Sequence, residues 1–444
     1  MATKHGRMTC YRTVVCATVL LLLLFARGET ERIAPIAAAM VLAICVGLIS
    51  AKSTRLLTLP FLLLSLILIF CYDSFSVFIG YLWLLPIVLL SIGVRLWRLR
   101  PRLILGPSFL PLCAVALATV LAGVGMITAD DYFRPISLFY VFALGPGMVL
   151  VYLLLKNCIS SDEDEHSFVD DLFALAVVAA LVILIRYLVY LPDLLLTGRI
   201  PGVQWANNIS TFLMLSMPVI FVRARRHYGY LFLGFGVAVL TMLSGSNGAL
   251  FLVPLEVMVC LAWLWKNDER PIARLWNRQL FVLAAGAAVL ICLLCLRNVS
   301  DDMRFSISGR EGLFKRGIRD FLENPAFGSG IGYRGNADLY SGKEGTVNWY
   351  HLFLIQVIGG MGVVGILSWG AQLLVRARLA VKVLRTDAFA LALCYLGLFL
   401  MSMVNPGEFC PIPYGFLAVM IFVCLERHAP ELHLLPWKRK KDPV

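Results

Sequence analysis

Charge is scarce in this 444-residue chain: Asp, Glu, Lys and Arg together make 15% of it, against about 25% in an ordinary soluble protein. At 60% hydrophobic residues, one water-soluble core cannot bury the excess, which excludes a soluble globular domain. Also missing are a disulfide framework and any zinc-ligand spacing. The twelve cysteines include Cys45, Cys113, Cys260, Cys292, Cys295, Cys394 and Cys424 inside apolar runs, where a thiol behaves as a small hydrophobe. Histidine is rare, with six in the chain, and no internal repeat is visible.

What the sequence has in abundance is runs of apolar residues separated by short charged or turn-rich breaks. That pattern predicts an all-α polytopic integral membrane protein in which residues 1–444 form a single membrane domain. Spans are expected near 11–26, 33–50, 56–71, 75–94, 103–127, 137–155, 172–191, 209–222, 230–244, 248–265, 279–296, 351–375, 386–404 and 412–425. Several of these are shorter than the usual ~17–25 residues, so the expectation is about 12–14 transmembrane helices. The basic N-terminus with Lys4, Arg7 and Arg12 ahead of an apolar stretch resembles a signal peptide, but no small-residue cleavage site follows, and a first span fits better.

The net charge of +12, from 39 Lys+Arg and 27 Asp+Glu, would suggest nucleic acid in a soluble chain. Here the position of the charges says otherwise, and no nucleic-acid partner is expected. With both termini cytoplasmic, every second connection is basic: Lys52 and Arg55, the four arginines of 95–102, Arg223 to Arg226, Lys266 to Arg278, Arg376 to Arg385, and the tail Lys438-Arg439-Lys440-Lys441. Short cytoplasmic loops hold Lys and Arg in this way. Only the acidic segment Ser161–Asp171 departs from the pattern.

The outer connections are short except one, residues 298–350, which carries seven basic and seven acidic side chains. A loop of this length is expected to be functional. Ser308 is placed to cap an amphipathic helix ending near Glu323 at Asn324-Pro325, with Leu313, Phe314, Ile318, Phe321 and Leu322 directed to the outer bilayer surface.

Five of the six histidines fall on the basic side, and only His351 faces out, where the long loop re-enters the membrane in Asn348-Trp349-Tyr350-His351. An imidazole there can take a proton from a hydroxyl; an interfacial histidine in an aromatic belt is the plainer alternative. Arg310 in Ser308-Gly309-Arg310 can bind a phosphate bidentately or be a solvated surface arginine. The run Gly328-Ser329-Gly330-Ile331-Gly332-Tyr333 permits close backbone approach to a ligand, although it follows no strand and fails as a dinucleotide fingerprint. Two other outer connections add polar groups: Arg199 with Asn207-Asn208, and Ser246-Asn247-Gly248-Ala249. Within the spans, Arg186 and Glu256 are candidates because ionisable groups are costly in lipid; snorkelling and structural hydrogen bonding are the alternatives.

From about Arg199 to Val364 these residues resemble the O-antigen ligase and polymerase superfamily of bacterial envelope enzymes. The resemblance rests on Gly309-Arg310, on Asn324 to Gly332, and on His351 leading into Gly359-Gly360-Met361-Gly362. Two departures stand out: Asn247 occupies a position where the family usually has arginine, and Leu352 follows the histidine where Asn is frequent.

The resemblance implies a GT-C-like enzyme of the bacterial inner membrane with a large periplasmic loop at 298–350 and no cofactor or metal. It implies inverting transfer of a glycan from an undecaprenyl diphosphate carrier to a saccharide or lipid A core acceptor. His351 and Arg310 would be catalytic; Arg199, Arg186, Asn247, Asn208 and Tyr333 would hold substrate. A chain-length regulator is an optional partner. Polymerisation of repeat units is favoured over ligation by the breadth of the family, and transfer to protein stays open. A transporter or lipid flippase built on Glu256 with Arg186, and a metal-dependent transferase using Asp130-Asp131 or Asp301-Asp302, are the rivals.

Overall fold

In the computed structural model the chain is described over residues 2–26, 30–50, 55–70, 80–81, 83–99, 104–124, 135–159, 162–197, 206–297, 301–331 and 350–429. Among these residues every regular element is helical. The first half runs α1 (Ala2–Ala26), α2 (Thr30–Ser50), α3 (Arg55–Phe70), α4 (Leu84–Leu99), α5 (Phe109–Leu121), α6 (Pro135–Leu144), α7 (Pro146–Cys158), α8 (Asp162–Val189) and α9 (Leu191–Thr197). The second runs α10 (Ala206–Arg223), α11 (Gly229–Met242), α12 (Asn247–Asn267), α13 (Pro271–Arg297), α14 (Asp301–Glu323), α15 (Phe353–Val383), α16 (Phe389–Ser402) and α17 (Phe416–Leu425).

The chain is a helical membrane protein by length and composition: among the described residues six stretches are long and apolar enough to cross a bilayer, Glu31–Ser50, Tyr140–Cys158, His166–Val189, Asn247–Asn267, Pro271–Leu294 and Phe353–Val383. Burial separates the roles of the helices. Every residue of α10 from Asn208 to Val222 is buried, as expected of a helix at the centre of a bundle. On α13, by contrast, Val282, Leu283, Val289, Leu290 and Leu293 are exposed, an apolar surface that only lipid or another apolar partner covers.

Structure and expectation differ in several places. The expected span 137–155 is interrupted at Gly145, where Pro146 opens α7. Proline suits the first turn because its missing N–H would find no intrahelical partner there. The fourth helix lies at Leu84–Leu99 rather than 75–94. Helices α5, α11, α16 and α17 have 13, 14, 14 and 10 residues. At 1.5 Å per residue they reach roughly 15–21 Å, short of the ~30 Å hydrocarbon core.

The contacts between connections sort the bundle into two ends. At one end Arg12 Nε meets Asp171 at 2.6 Å, Arg223 meets Asp170 at 2.5 Å, Lys156 meets Glu426 at 2.7 Å, and Arg225 meets Asp387 at 2.5 Å. All these residues belong to connections that the charge alternation assigns to one side, called here the basic end. The acidic segment that departs from the alternation supplies Asp170 and Asp171 as partners for Arg12 and Arg223, which is the physical reason for carboxylates there. At the opposite end, the loop end, Gly123 N–H donates to the Phe327 carbonyl at 3.0 Å. There too Ser246 Oγ donates to Asn207 Oδ1 at 2.6 Å, and the Tyr414 hydroxyl donates to the Asn208 carbonyl at 2.6 Å.

Inside the bundle, Arg376 on α15 forms a bidentate pair with Glu408, Nη2 to Oε1 at 2.6 Å and Nη1 to Oε2 at 2.8 Å. The Tyr395 hydroxyl donates to the same carboxylate at 3.0 Å. A bidentate geometry with a further donor from Tyr395 offsets the cost of burying the pair, although Arg376 Nε has no hydrogen-bond partner among the described residues; the pair ties α15 to α16 and to the turn that follows.

Candidate functional site

The site at the loop end is built on α14 and the start of α15. Leu313, Gly317 and Asp320 form the buried stripe of α14, and Arg310 lies on the same stripe, one turn earlier at helical spacing. Gly317 explains the close approach: a Cβ there would sit 2.2 Å from Ile355 Cγ2 and 3.2 Å from the Tyr350 ring. The opposite face of α14 exposes Phe314 and Leu322 with Glu311, Lys315 and Arg319. The helix therefore packs on α15 through one face instead of simply lying along a bilayer surface. It also begins at Asp301, seven residues before Ser308, so Ser308 is interior and is not the cap that the sequence suggested.

Tyr350 is clamped from both ends. Its hydroxyl donates to Asp320 and lies 3.0 Å from Ser329 Oγ, while its N–H donates to Gln356 Oε1 at 3.0 Å. Asp320 in turn accepts from Arg316 Nε at 2.9 Å. Burial, and then the Asp320 charge, push the Tyr350 phenol above its ordinary range, so at neutral pH it remains a donor. The residue after this clamp is His351, at φ 53°, the one non-glycine with positive φ among the described residues. A left-handed backbone costs a non-glycine residue roughly 1–2 kcal/mol, and such outliers persist only where their surroundings over-determine them.

The His351 imidazole is pushed down to about 4, first by burial and second by the positive charge of Arg310. At pH 7 it is neutral and able to accept a proton. Arg310 is half-buried, and its Nε has no hydrogen-bond partner among the described residues. A neutral base thus stands beside a guanidinium with donor capacity to spare. That combination suits deprotonating a hydroxyl next to a group that gains negative charge.

The glycine-rich phrase has a different use from the one its sequence suggested. Helix α15 is broken at Gly362, φ 62° and ψ −154°, and residues 325–330 lie along the break. Val363 N–H donates to the Pro325 carbonyl at 2.8 Å and Val364 N–H to Ala326 at 3.2 Å, while Ser329 and Gly330 N–H donate to the Gly359 and Gly360 carbonyls at 2.8 and 2.9 Å. A Cβ at Gly328 would lie 2.5 Å from the Gly359 oxygen, and one at Gly362 would lie 2.5 Å from the Pro325 oxygen. The close approach is therefore between two stretches of the protein's own backbone. It satisfies the groups that a broken helix leaves open, a condition for irregular backbone at membrane depth.

Of the other sequence-derived candidates, Asn208 is buried on the first turn of α10 and its carbonyl is taken by Tyr414. Asn247 is the first residue of α12, after Ser246, whose side chain caps that helix by accepting from Ala249 N–H at 3.3 Å. The Ser246–Asn207 hydrogen bond brings the first turns of α12 and α10 together at the loop end. Arg186 is buried on α8, whose main neighbours are α1, α3 and α10. Arg199, Tyr333 and Asp130-Asp131 lie outside the described residues, and Asp301-Asp302 open α14.

Glu256 is wholly buried on α12, and neither carboxyl oxygen has a hydrogen-bond partner among the described residues. It is neither the structural hydrogen-bonder nor the ion-pair partner of Arg186 that the sequence allowed; its space is made by Gly397, where a Cβ would fall 2.2 Å from Glu256 Oε1. Among the described residues no group of three His, Cys, Asp or Glu side chains converges as a metal site would.

The sequence singles out His351 and Arg310 as candidates, but not the Asp320, Ser329, Tyr350 and Gln356 that surround them here. The signals were faint: an i, i+4 Arg316–Asp320 pair in a loop helix, and a tyrosine next to the lone outer histidine. No family model matches the chain, and no curated protein matches it either.

Proposed function

We propose that this chain is a bacterial inner-membrane glycosyltransferase of the O-antigen polymerase and ligase type, with its loop end in the periplasm. The observation that carries the reading is His351, held with a left-handed backbone at φ 53° at the end of the bundle away from the basic connections, where the charge of Arg310 reaches its ring. In the reaction, an acceptor hydroxyl loses its proton to the His351 imidazole as its oxygen attacks the anomeric carbon of the donor sugar. The bond from that carbon to the diphosphate oxygen breaks, and the undecaprenyl diphosphate leaves with the electron pair. Arg310 stabilises the charge that develops on the leaving group. The strained backbone and the Asp320–Tyr350 clamp keep the ring in place through the transfer.

Polymerisation of repeat units is preferred to ligation onto lipid A core. The test is complementation of a deletion strain with wild type, His351→Ala, Arg310→Ala or Glu256→Gln at equal membrane expression. Loss of surface polysaccharide with the two loop variants alone, with single repeat units left on the carrier or on lipid A, supports the polymerase. Long carrier-linked chains would indicate a ligase. Loss with Glu256→Gln alone would overturn the transferase reading in favour of transport through the bundle.

A further inference from the structure

A second region of the molecule, at the basic end, has the makings of a lipid site. Helices α2, α3, α4, α7 and α17 enclose a cavity of about 230 Å³. Its walls include Val41, Leu48, Phe61, Ile92 and Leu154, with Thr58 and Ser65 as the hydroxyls among them. The Ser65 hydroxyl is spent within its own helix, donating to the Phe61 carbonyl at 3.2 Å, so the interior is apolar. Leu48 lies two residues before the end of α2, and Leu57 lies on the first turn of α3. The cavity therefore reaches the basic end of the bundle. From there it runs to Val41 and Leu68, roughly 10–16 Å inward at 1.5 Å per residue.

Two arginines of α4 lie toward its mouth. On α4, Val88 and Ile92 line the cavity, and Arg95 follows three residues later on the same face, 9% exposed. Arg98, one further turn on, donates to the Ile49 carbonyl, next to the cavity-lining Leu48. Among the described residues Arg98 meets that carbonyl and no carboxylate, and the nearby Glu426 is already committed to Lys156 and Tyr152. An apolar slot with the Arg98 guanidinium at its membrane-surface end matches a molecule with an apolar tail and an anionic head. Arginine forks fit phosphate oxygens, and basic pockets between helices on the cytoplasmic side recognise anionic lipid head groups.

We propose that this cavity holds one acyl chain of an anionic phospholipid whose phosphate is bound by Arg98. The site lies at the end opposite to His351 and is independent of the transferase reading.

The test is analysis of lipid retained by the full-length protein purified in mild detergent, with wild type compared with Leu154→Trp, Arg98→Gln, and Leu367→Trp as a control on the exposed face of α15. Wild type and the control should keep about one phosphatidylglycerol-class lipid per chain, enriched at least tenfold over its share of the membrane. Leu154→Trp should lose the lipid, and Arg98→Gln should lose its enrichment. Should Leu154→Trp fail to fold, the same question is put to wild type and Arg98→Gln by thermal unfolding with added dioleoylphosphatidylglycerol or dioleoylphosphatidylcholine. Only the anionic lipid, and only with wild type, should raise the midpoint. Retained lipid that mirrors the membrane's composition, equal retention by Leu154→Trp, or equal stabilisation by both lipids would overturn the proposal.

Discussion

Protonation of His351 is the perturbation whose size the structure sets most clearly. An imidazole in an unfolded chain titrates near 6.5, whereas in the folded protein burial and Arg310 bring it down to about 4. Between these values the unfolded state binds the proton and the folded state does not, so stability rises with pH through that window. The full contribution is present above 6.5. It is lost as pH falls toward 4, by roughly 3 kcal/mol at about 1.4 kcal/mol per pH unit.

Under the proposed function, the same depression sets the pH dependence of transfer. A base that is neutral down to about 4 places the acidic limb of kcat/KM, which reports the free enzyme, well below the ordinary histidine range. With an anionic diphosphate bound next to the ring, the limb of kcat should lie higher than that of kcat/KM. The assay is transfer by nanodisc-embedded protein from pH 4 to 8, with thermal unfolding over the same range for wild type and His351→Gln. The glutamine variant should lack activity and show a flatter dependence of stability on pH. An acidic limb of kcat/KM near 6.5, or identical stability profiles for the two proteins, would refute this reasoning.

Further consequences concern the parts that hold the site. Gly362→Ala forces a left-handed residue with its Cβ 2.5 Å from the Pro325 oxygen and should destabilise by about 2 kcal/mol or more. Gly370→Ala, with open space around its Cβ, should be neutral or stabilise by up to about 1 kcal/mol, and thermal unfolding distinguishes the two. Tyr350→Phe removes the donor to Asp320 and should lower kcat at least tenfold with little change in KM, since it loosens the ring without touching the donor. Equal loss of binding would mean the clamp acts on substrate instead. Arg376→Met alone leaves Glu408 buried without its cation and should cost roughly 3–5 kcal/mol, whereas the double replacement with Glu408→Leu should recover much of that cost, as read from a double-mutant cycle.

How much of this was legible beforehand depended on the range of the interaction. Apolar runs bounded by charges located α10 and α12 to within a few residues, because for these helices the membrane requirement is local and additive along the chain. The alternation of basic connections grouped the ends that Arg12–Asp171 and Lys156–Glu426 join. By contrast, the break at Gly145 and the early start of α14 depend on tertiary packing that hydropathy does not register. The clamp was illegible for the same reason: Tyr350 and Asp320 are 30 residues apart, and nothing periodic relates them. The glycines around 328 and 362 were visible as unusual, but only the paired backbones revealed that each segment serves the other.

The central proposal is that His351 and Arg310 carry out glycosyl transfer. The most direct measurement is product formation by the purified protein, in the presence of a strong chelator, from a synthetic undecaprenyl-diphosphate-linked oligosaccharide and a saccharide acceptor. Wild type should elongate the acceptor and release undecaprenyl diphosphate, while His351→Ala and Arg310→Ala, folded as judged by thermal unfolding, should fall by at least a hundredfold. Undiminished transfer by the His351 variant would contradict the claim.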